Sequence, residues 1–116
     1  EISFSGPAII DKQYVFIVSN NGYFVILNKD TGEVISSFNI LKILKRKRQN
    51  TQVTSFIMGS GKIYSTTSNG FLIVSSTQTG KAEYFKKIGE KNVSPLIIND
   101  GTLYILTENS KIIGLR

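Results

Sequence analysis

The sequence contains no cysteine, no histidine and no tryptophan. Without imidazole or thiolate groups it cannot build the common zinc sites, and no histidine is present to activate a serine or cysteine nucleophile. The absence of cysteine also excludes a disulfide framework. We therefore expect neither a metal site of these kinds nor a bound cofactor in this chain.

Long apolar runs are also missing. No run approaches the roughly 20 residues that a helix needs to span a bilayer, which excludes a transmembrane helix. The chain starts at Glu1 and shows no basic segment followed by an apolar one. We expect any targeting signal or membrane tether to lie outside these residues. The absence of cysteine is compatible with the periplasm and with the cytosol alike.

The remaining composition is that of a folded chain with excess positive charge. Hydrophobic residues make up 41% of the 116 residues and charged residues 19%, a balance typical of globular rather than disordered chains. There are 14 lysines and arginines against 8 aspartates and glutamates, which gives a net charge of +6. Composition does not identify a function, so the order of the residues has to be considered.

Three segments of the chain align with one another without a gap. The segment from Pro7 to Phe38 matches Ser55 to Lys86, and its first part matches Pro95 to Leu115. The matched positions share apolar residues, a turn asparagine and a Thr-Gly pair: Val15, Ile63 and Leu103; Asn21, Asn69 and Asn109; Thr31-Gly32 and Thr79-Gly80. The agreement of strands and turns in one register indicates an internal repeat.

Each unit of the repeat has the pattern of short strands separated by turns. The first unit predicts four strands: Ala8 to Ile10, Tyr14 to Val18, Tyr23 to Leu27 and Val34 to Phe38. The two middle strands are continuously apolar and rich in β-branched and aromatic residues, so we expect them to be buried on both faces. Asn20-Asn21-Gly22 separates them, and Gly59-Ser60-Gly61 and Asn99-Asp100-Gly101 are further turn signals, because these residues tolerate positive φ angles.

The fourth strand of the unit is more polar than the others. We expect it at the outer edge of the sheet, where Ser36 and Ser37 would meet water. Four antiparallel strands in each repeat predict an all-β fold made of β-propeller blades, of the PQQ-like or WD40-like kind. A single blade cannot bury both of its faces, so neighbouring blades must stack on it.

The chain is too short to close a propeller ring. Its blade repeats occupy about residues 7–39, 55–86 and 95–116, which amounts to a partial propeller domain of about two and a half blades over residues 1–116. Ile2 to Phe4 is a candidate for the outer strand of a preceding blade. Because propellers have typically four to eight blades, we expect a piece of a longer protein or a partial ring that self-associates.

The repeat resembles the PQQ-like propeller repeat. From Pro7 to Leu115 it shows proline with an apolar pair, a hairpin ending in glycine, an apolar strand, Asn-Gly, a second apolar strand and a turn ending in Thr-Gly. Within that superfamily it is similar to the outer-membrane β-barrel assembly lipoproteins of the BamB type. The resemblance implies a non-enzymatic scaffold in the periplasm, possessing no cofactor, that binds protein partners of the assembly machinery.

The sequence departs from the family pattern after the Thr-Gly turn. The family usually has a tryptophan there that docks one blade on the next, and we expect Phe38, Tyr84 and Phe85 to take that role. An alternative is a fragment of a PQQ-dependent quinoprotein dehydrogenase whose cofactor site lies outside this chain. The missing tryptophan, and the lack of an acidic pair spaced to hold calcium, argue against it. A propeller with sugar or peptide ligands in its channel is a third hypothesis.

A cluster of positive charge interrupts the repeat between the first two blades. Lys42, Lys45, Arg46, Lys47 and Arg48 lie within seven positions that contain no acidic residue, in a basic connector at residues 40–50. One hypothesis is a docking segment for an acidic protein face or anionic lipid. The other is a solvated loop that keeps a neighbouring edge soluble. We do not expect nucleic acid as the partner, since no stacking aromatic residues accompany the charges.

The connector also carries apolar residues. Ile40, Leu41 and Leu44 would pack downward if residues 40–48 formed one or two helical turns. Nine residues are too few for a helix that is stable on its own. We therefore expect any helix here to depend on packing against the blades.

Catalytic candidates are limited to carboxylates, lysines and tyrosines. No Ser-x-x-Lys motif occurs, and Gly59-Ser60-Gly61-Lys62 lacks the spacing of a phosphate-binding loop and aligns with an ordinary hairpin. Tyr64 and Tyr104 align with Phe16, which predicts packing in the core. Asp11 and Asp100 lie in equivalent hairpins, where a surface acid is expected. We predict no enzyme activity and no catalytic, cofactor-binding or metal-binding residue.

Overall fold

The computed structural model describes residues 3–89, 94–99, 102–106 and 112–115. The strands and the one 3-10 helix within these residues follow in chain order: β1 (Ile9–Asp11), β2 (Tyr14–Val18), β3 (Tyr23–Asn28), β4 (Val34–Asn39), the connector helix (Ile40–Arg48), β5 (Val53–Gly59), β6 (Lys62–Thr67), β7 (Phe71–Ser76), β8 (Ala82–Lys87), β9 (Ser94–Asn99), β10 (Thr102–Leu106) and β11 (Ile112–Leu115).

The strands form three antiparallel sheets, each a simple meander. The first sheet has the order β1-β2-β3-β4 and the second β5-β6-β7-β8, while β9, β10 and β11 make a three-stranded sheet with β10 in the middle. We refer to them as the first, second and third blades. The four strands predicted for the first unit are confirmed to within one residue at each end.

The turn chemistry explains where these strands end. Gly22 has φ 98° in the β2–β3 hairpin, a conformation that glycine adopts without steric cost. Ser60 and Gly61 both have positive φ, 52° and 74°, in the turn that joins β5 to β6. Gly59-Ser60-Gly61-Lys62 is therefore a hairpin, as the repeat predicted. The corresponding turn at Asp100 and Gly101 lies outside the described residues.

The N-terminal segment pairs within the first blade. Phe4 forms an antiparallel bridge with Ser19, the backbone N–H of Ser5 donates to the Val18 carbonyl (2.9 Å), and that of Asn20 donates to the Ser3 carbonyl (2.7 Å). The suggestion that Ile2 to Phe4 belongs to a preceding blade is therefore wrong for Phe4, and Ile2 lies outside the described residues. Backbone groups at the end of β2 are thus hydrogen-bonded to the segment that immediately precedes β1.

One apolar cluster fills the seam between the first and second blades. It contains side chains from one face of each blade and from the connector helix: Phe16, Val18, Phe24, Ile26, Ile40, Leu41, Leu44, Val53, Phe56, Ile63, Phe71 and Ile73. A smaller cluster of Leu72, Val74 and Leu103 joins the second blade to the third. Because side chains alternate across a strand, the second blade is buried on both faces, and all six residues of β7 are buried.

The first blade is buried on only one face. At matching positions of the repeat, Ile63 and Ile73 are 0% exposed in the second blade, while Val15 and Val25 are half-buried in the first. The expectation that β2 and β3 are buried on both faces is wrong, because among the described residues no blade packs on the second side. We call that side the open face, and it consists of Ile10, Val15, Ile17, Tyr23, Val25 and Leu27, with Ile10 64% and Tyr23 41% exposed.

The two Thr-Gly turns differ as the two blades do: the turn at Gly80 is covered by a neighbouring blade, and the turn at Gly32 is open among the described residues. Gly32 and Gly80 have nearly identical φ angles, 76° and 77°. A Cβ added at Gly80 would lie 3.2 Å from Ser36 Cβ and 3.4 Å from Phe38 Cδ2 of the first blade, whereas one added at Gly32 would meet nothing within 4 Å. The Thr-Gly turn is therefore a place where consecutive blades touch, and only the second blade has its neighbour there.

The contact between the Gly80 turn and β4 tests two expectations, the docking role of Phe38 and the exposure of Ser36. Phe38 lies against Gly80, with Lys81 Nζ 5.3 Å from its ring centroid, so it takes the predicted role in blade docking. Tyr84 does not, since it is 55% exposed. Ser36 was expected to meet water, but its Oγ is buried without a hydrogen-bond partner among the described atoms. Ser36 is shielded from water because the Thr-Gly turn of the second blade covers this part of β4.

Alanine substitutions at the two turns should separate blade packing from backbone strain. Gly32→Ala and Gly80→Ala each place a side chain at positive φ, which costs about 1 kcal/mol. Gly80→Ala should lose about 2 kcal/mol more from overpacking against Ser36 and Phe38. Urea unfolding of both variants measures the difference. Equal losses would show that the first blade does not press on the Gly80 turn.

The open face should make the 116-residue chain self-associate. Exposed apolar surface of a sheet favours association, so the mass from light scattering should rise with concentration. Val25→Asp on the open face should keep the chain monomeric. Gln49→Asp adds the same charge at an exposed position beside the connector helix, away from the open face, and serves as the control, which should associate like the parent. A parent chain that stays monomeric at every concentration would contradict the expectation.

Candidate functional site

The connector helix combines deep packing with exposed charge. The side-chain oxygen of Asn39 caps its start by accepting a hydrogen bond from the backbone N–H of Leu41 (3.0 Å), as is typical of an N-cap asparagine. Lys45, at φ 55° and ψ −119°, divides the helix into two short 3-10 segments. Three of its four apolar residues are buried at the end of the seam, Ile40, Leu41 and Leu44, and Ile43 is half-buried. The predicted helical turns and their buried side chains are confirmed.

Both ends of the connector are fixed to the β2–β3 hairpin of the first blade. The N–H of Ile40 donates to the Gly22 carbonyl (2.8 Å), and the N–H of Val53 donates to the Asn20 carbonyl (2.9 Å). A Cβ at Gly22 would lie 2.7 Å from both Asn39 Oδ1 and Leu41 Cγ. The glycine that makes the hairpin turn thus also leaves the space in which the connector begins.

The C-terminal half of the connector is fixed to the second blade. The Lys47 carbonyl accepts hydrogen bonds from Asn69 Nδ2 (2.7 Å) and from Thr51 Oγ1 (3.2 Å). Asn69 is held in turn by the hydroxyl of Thr67, which donates to its Oδ1 (2.6 Å). A turn asparagine of the repeat therefore anchors the basic segment, a role that its position in the repeat did not indicate.

Lys47 differs from the other cations of the segment. Its Nζ lies 5.7 Å from the ring centroid of Phe71 and 6.0 Å from that of Phe85. These two rings pack edge to face at 5.6 Å. A cation over aromatic rings is stabilised by about 0.5–2 kcal/mol. Phe85 packs on the apolar cluster between the first and second blades, as expected of a residue that docks one blade on the next, and it also supports the connector.

The structure brings the predicted basic residues together on one rim of the blades. The β2–β3 turn, the connector and the β6–β7 turn all lie where β2, β4 and β6 end, because the strands are antiparallel. All five cations, Lys42, Lys45, Arg46, Lys47 and Arg48, are exposed. No carboxylate of the described residues pairs with these cations. The ion pair found among the described residues joins Lys62 to Glu83, near the opposite rim.

Three depressions border the connector, one of them lined only by Lys45, Arg46, Arg48 and Gln49. An open one of about 640 Å³ is lined mainly by amide side chains together with Arg48, among them Asn21, Asn39, Gln49 and Gln52. A second, of about 340 Å³, lies on the other side and is lined by Ile43, Leu44, Lys45, Arg46, Lys47 and Phe85. Sequence reasoning did not find the amides, Ile43 or Phe85 as site residues. Asn21 and Phe85 are far from the connector in the chain and reach it only through the fold.

Tyr64 lies near Tyr84 and Lys62 in the second blade. Burial raises the pKa of Tyr64 above its ordinary value, the nearby Tyr84 raises it further, and Lys62 opposes them. Tyr64 is half-buried, but Tyr104 is 36% exposed, so its predicted core position is wrong because no described blade covers that face. Asp100 lies outside the described residues.

Neither a metal cluster nor a membrane-spanning helix occurs in the ranges that the structure describes. Within them, no three or more aspartate or glutamate side chains gather where they could hold a metal ion. No helix there is long and apolar enough to cross a membrane.

Comparison with known proteins identifies the fold. No family model matches the chain, and no curated protein matches it. Among solved structures, BamB from Moraxella catarrhalis superposes with a TM-score of 0.63 at 15% identity, over 94% of this chain and 32% of that one. The β-propeller domain of Cps50 (Swd1) from Myceliophteria thermophila gives 0.69 at 10% identity, over 90% and 34%.

These similarities show that the chain folds as an arc of a β-propeller. The match to BamB extends over nearly the whole of this chain. The chain spans about a third of the length of both structures. At these levels of identity the likeness concerns the fold alone.

The buried and exposed parts of the connector should respond differently to substitution. Leu44 is 2% exposed, so Leu44→Ala should lower the free energy of unfolding by about 3 kcal/mol. Lys42→Ser, two residues away on the exposed side, should change it by less than about 0.5 kcal/mol. Urea unfolding of both variants gives the comparison. A similar, small loss in both would mean that the connector does not close the seam.

Proposed function

We propose that this propeller arc is part of a non-enzymatic interaction scaffold whose basic rim binds an acidic surface of a protein partner. One observation carries the proposal. The connector buries Ile40, Leu41 and Leu44 in the seam, while its five cations stay exposed and without a carboxylate partner among the described residues. Such a surface attracts an acidic face and speeds its encounter.

The alternative of a solvated loop fits the connector less well. A loop that only adds solubility needs no fixed conformation, but this one is hydrogen-bonded to Gly22, Asn20 and Asn69. Lys45 is held at φ 55°, a strained conformation that persists where surrounding contacts impose it and that is found often at ligand-binding sites. Charges on a fixed backbone lose less conformational entropy when a partner binds.

We further propose that the scaffold serves outer-membrane β-barrel protein assembly in the periplasm. The support is the resemblance of the repeat to the BamB type of lipoprotein, together with the structural likeness to BamB along the chain. Any attachment to the membrane would then run through a tether outside these residues. The partner would be a protein of the assembly machinery that presents acidic side chains to the rim.

The proposal predicts that charge on the connector rim controls partner binding. Arg46→Ser with Arg48→Ser should weaken binding to the purified outer-membrane assembly complex about tenfold, and the loss should shrink as salt is raised from 50 to 150 mM. Binding is measured by biolayer interferometry. Lys12→Asn with Lys29→Ser removes two charges from the turns of the opposite rim and should leave the affinity unchanged. Equal affinities of all three proteins would refute the proposal.

A further inference from the structure

The cleft on the outer side of the connector has an apolar floor and a cationic rim. Its volume is about 340 Å³, within the usual range of small ligand sites. Ile43, Leu44 and Phe85 form the floor, and Lys45, Arg46 and Lys47 form the rim. We call it the cation-rimmed cleft. Exposed apolar surface with a polar rim is typical of interaction sites and ligand-binding grooves.

The floor of the cation-rimmed cleft is rigid. Leu44 is buried in the apolar cluster between the first and second blades. Phe85 is held edge to face against Phe71, with Lys47 Nζ near both rings. Ile43 is half-buried and packs on the same core. The cleft is therefore already formed in the free chain, which reduces the cost of binding.

The rim sets the charge of the occupant. Three cations follow one another along the edge, and no carboxylate of the described residues neutralises them. Hydrogen bonds from Asn69 and Thr51 to the Lys47 carbonyl fix the backbone at this point. Cations at successive positions match several carboxylates along an extended peptide better than they match a single anionic group.

We propose that the cation-rimmed cleft binds a short acidic peptide segment of the partner that carries one leucine-sized apolar side chain between aspartates or glutamates. The inference rests on the proposed function, because it names the chemistry of the partner at the same rim. The apolar side chain occupies the floor, and the flanking carboxylates pair with Lys45 and Arg46.

The test uses two fluorescein-labelled pentapeptides with two acidic residues on each side of a central leucine or alanine. Fluorescence anisotropy with the 116-residue chain should show about tenfold tighter binding of the leucine peptide, from the burial of its extra methylene and methyl groups. Ile43→Ser should abolish this preference and leave the alanine peptide unchanged. Arg46→Ser should weaken both peptides, and Lys12→Asn on the opposite rim should weaken neither.

A second variant guards against loss of packing in Ile43→Ser. Ile43→Phe keeps the position apolar but fills the cleft, so it should also remove the preference for leucine. Unfolding in urea identifies any variant that has lost its fold. If both folded variants still prefer leucine, the side chain binds elsewhere and the inference is wrong.

The remaining outcomes separate this inference from the proposed function. Equal binding of the two peptides, weakened by Arg46→Ser, would overturn the cleft as an apolar subsite and leave the basic rim as a docking surface. The inference and the proposed function would both be overturned if neither peptide binds and if Arg46→Ser with Arg48→Ser leaves the affinity for the assembly complex unchanged. Ile43-dependent binding to phosphatidylserine vesicles, with none to the peptides or to phosphatidylcholine vesicles, would make the occupant a lipid and refute the peptide.

Discussion

Burial of one blade face against the next is the constraint on which the structure depends. A twisted four-stranded sheet has two apolar faces, and only a neighbouring blade can cover each of them. Ile63 and Ile73 are fully buried, while their counterparts Val15 and Val25 are only half-buried, although all four are β-branched and apolar. The difference between them is produced by the neighbour and not by the strand. The stability of each blade therefore depends on the blade that packs against it.

The connector follows from this constraint, because the seam between two blades has an end that must be closed. Ile40, Leu41 and Leu44 close it, and in doing so they fix the direction of the polypeptide that carries the cations. The charges are therefore displayed by a segment whose position is set by apolar packing. A purely polar loop of the same length would have no such anchor, and its charges would be spread over many conformations.

The sequence predicts the local features of the molecule and fails where distant segments meet. The strands of the first unit, the turn at Gly22 and the helical turns with buried Leu44 depend on short-range pattern, and they were all predicted. The burial of Ser36 and the placement of Lys47 over Phe71 and Phe85 depend on which blade lies opposite. For the candidate site, the pattern supplied the charges but not the anchors or the apolar floor.

The position of the basic residues along the repeat shows which link between blades carries them, which composition alone does not show. The first two units are offset by 48 residues and the next two by 40, so the connector is the longer of the two links between blades. In repeat folds, added residues fall in loops on one face, and that face is often the binding face. Here the extra length both fills the end of the seam and carries five cations. A segment needed only to close the seam would not require the charges, and a segment needed only for solubility would not require the packing. The coincidence of the two in one insertion is what makes the connector rim the part of this arc that binds a partner in our proposal.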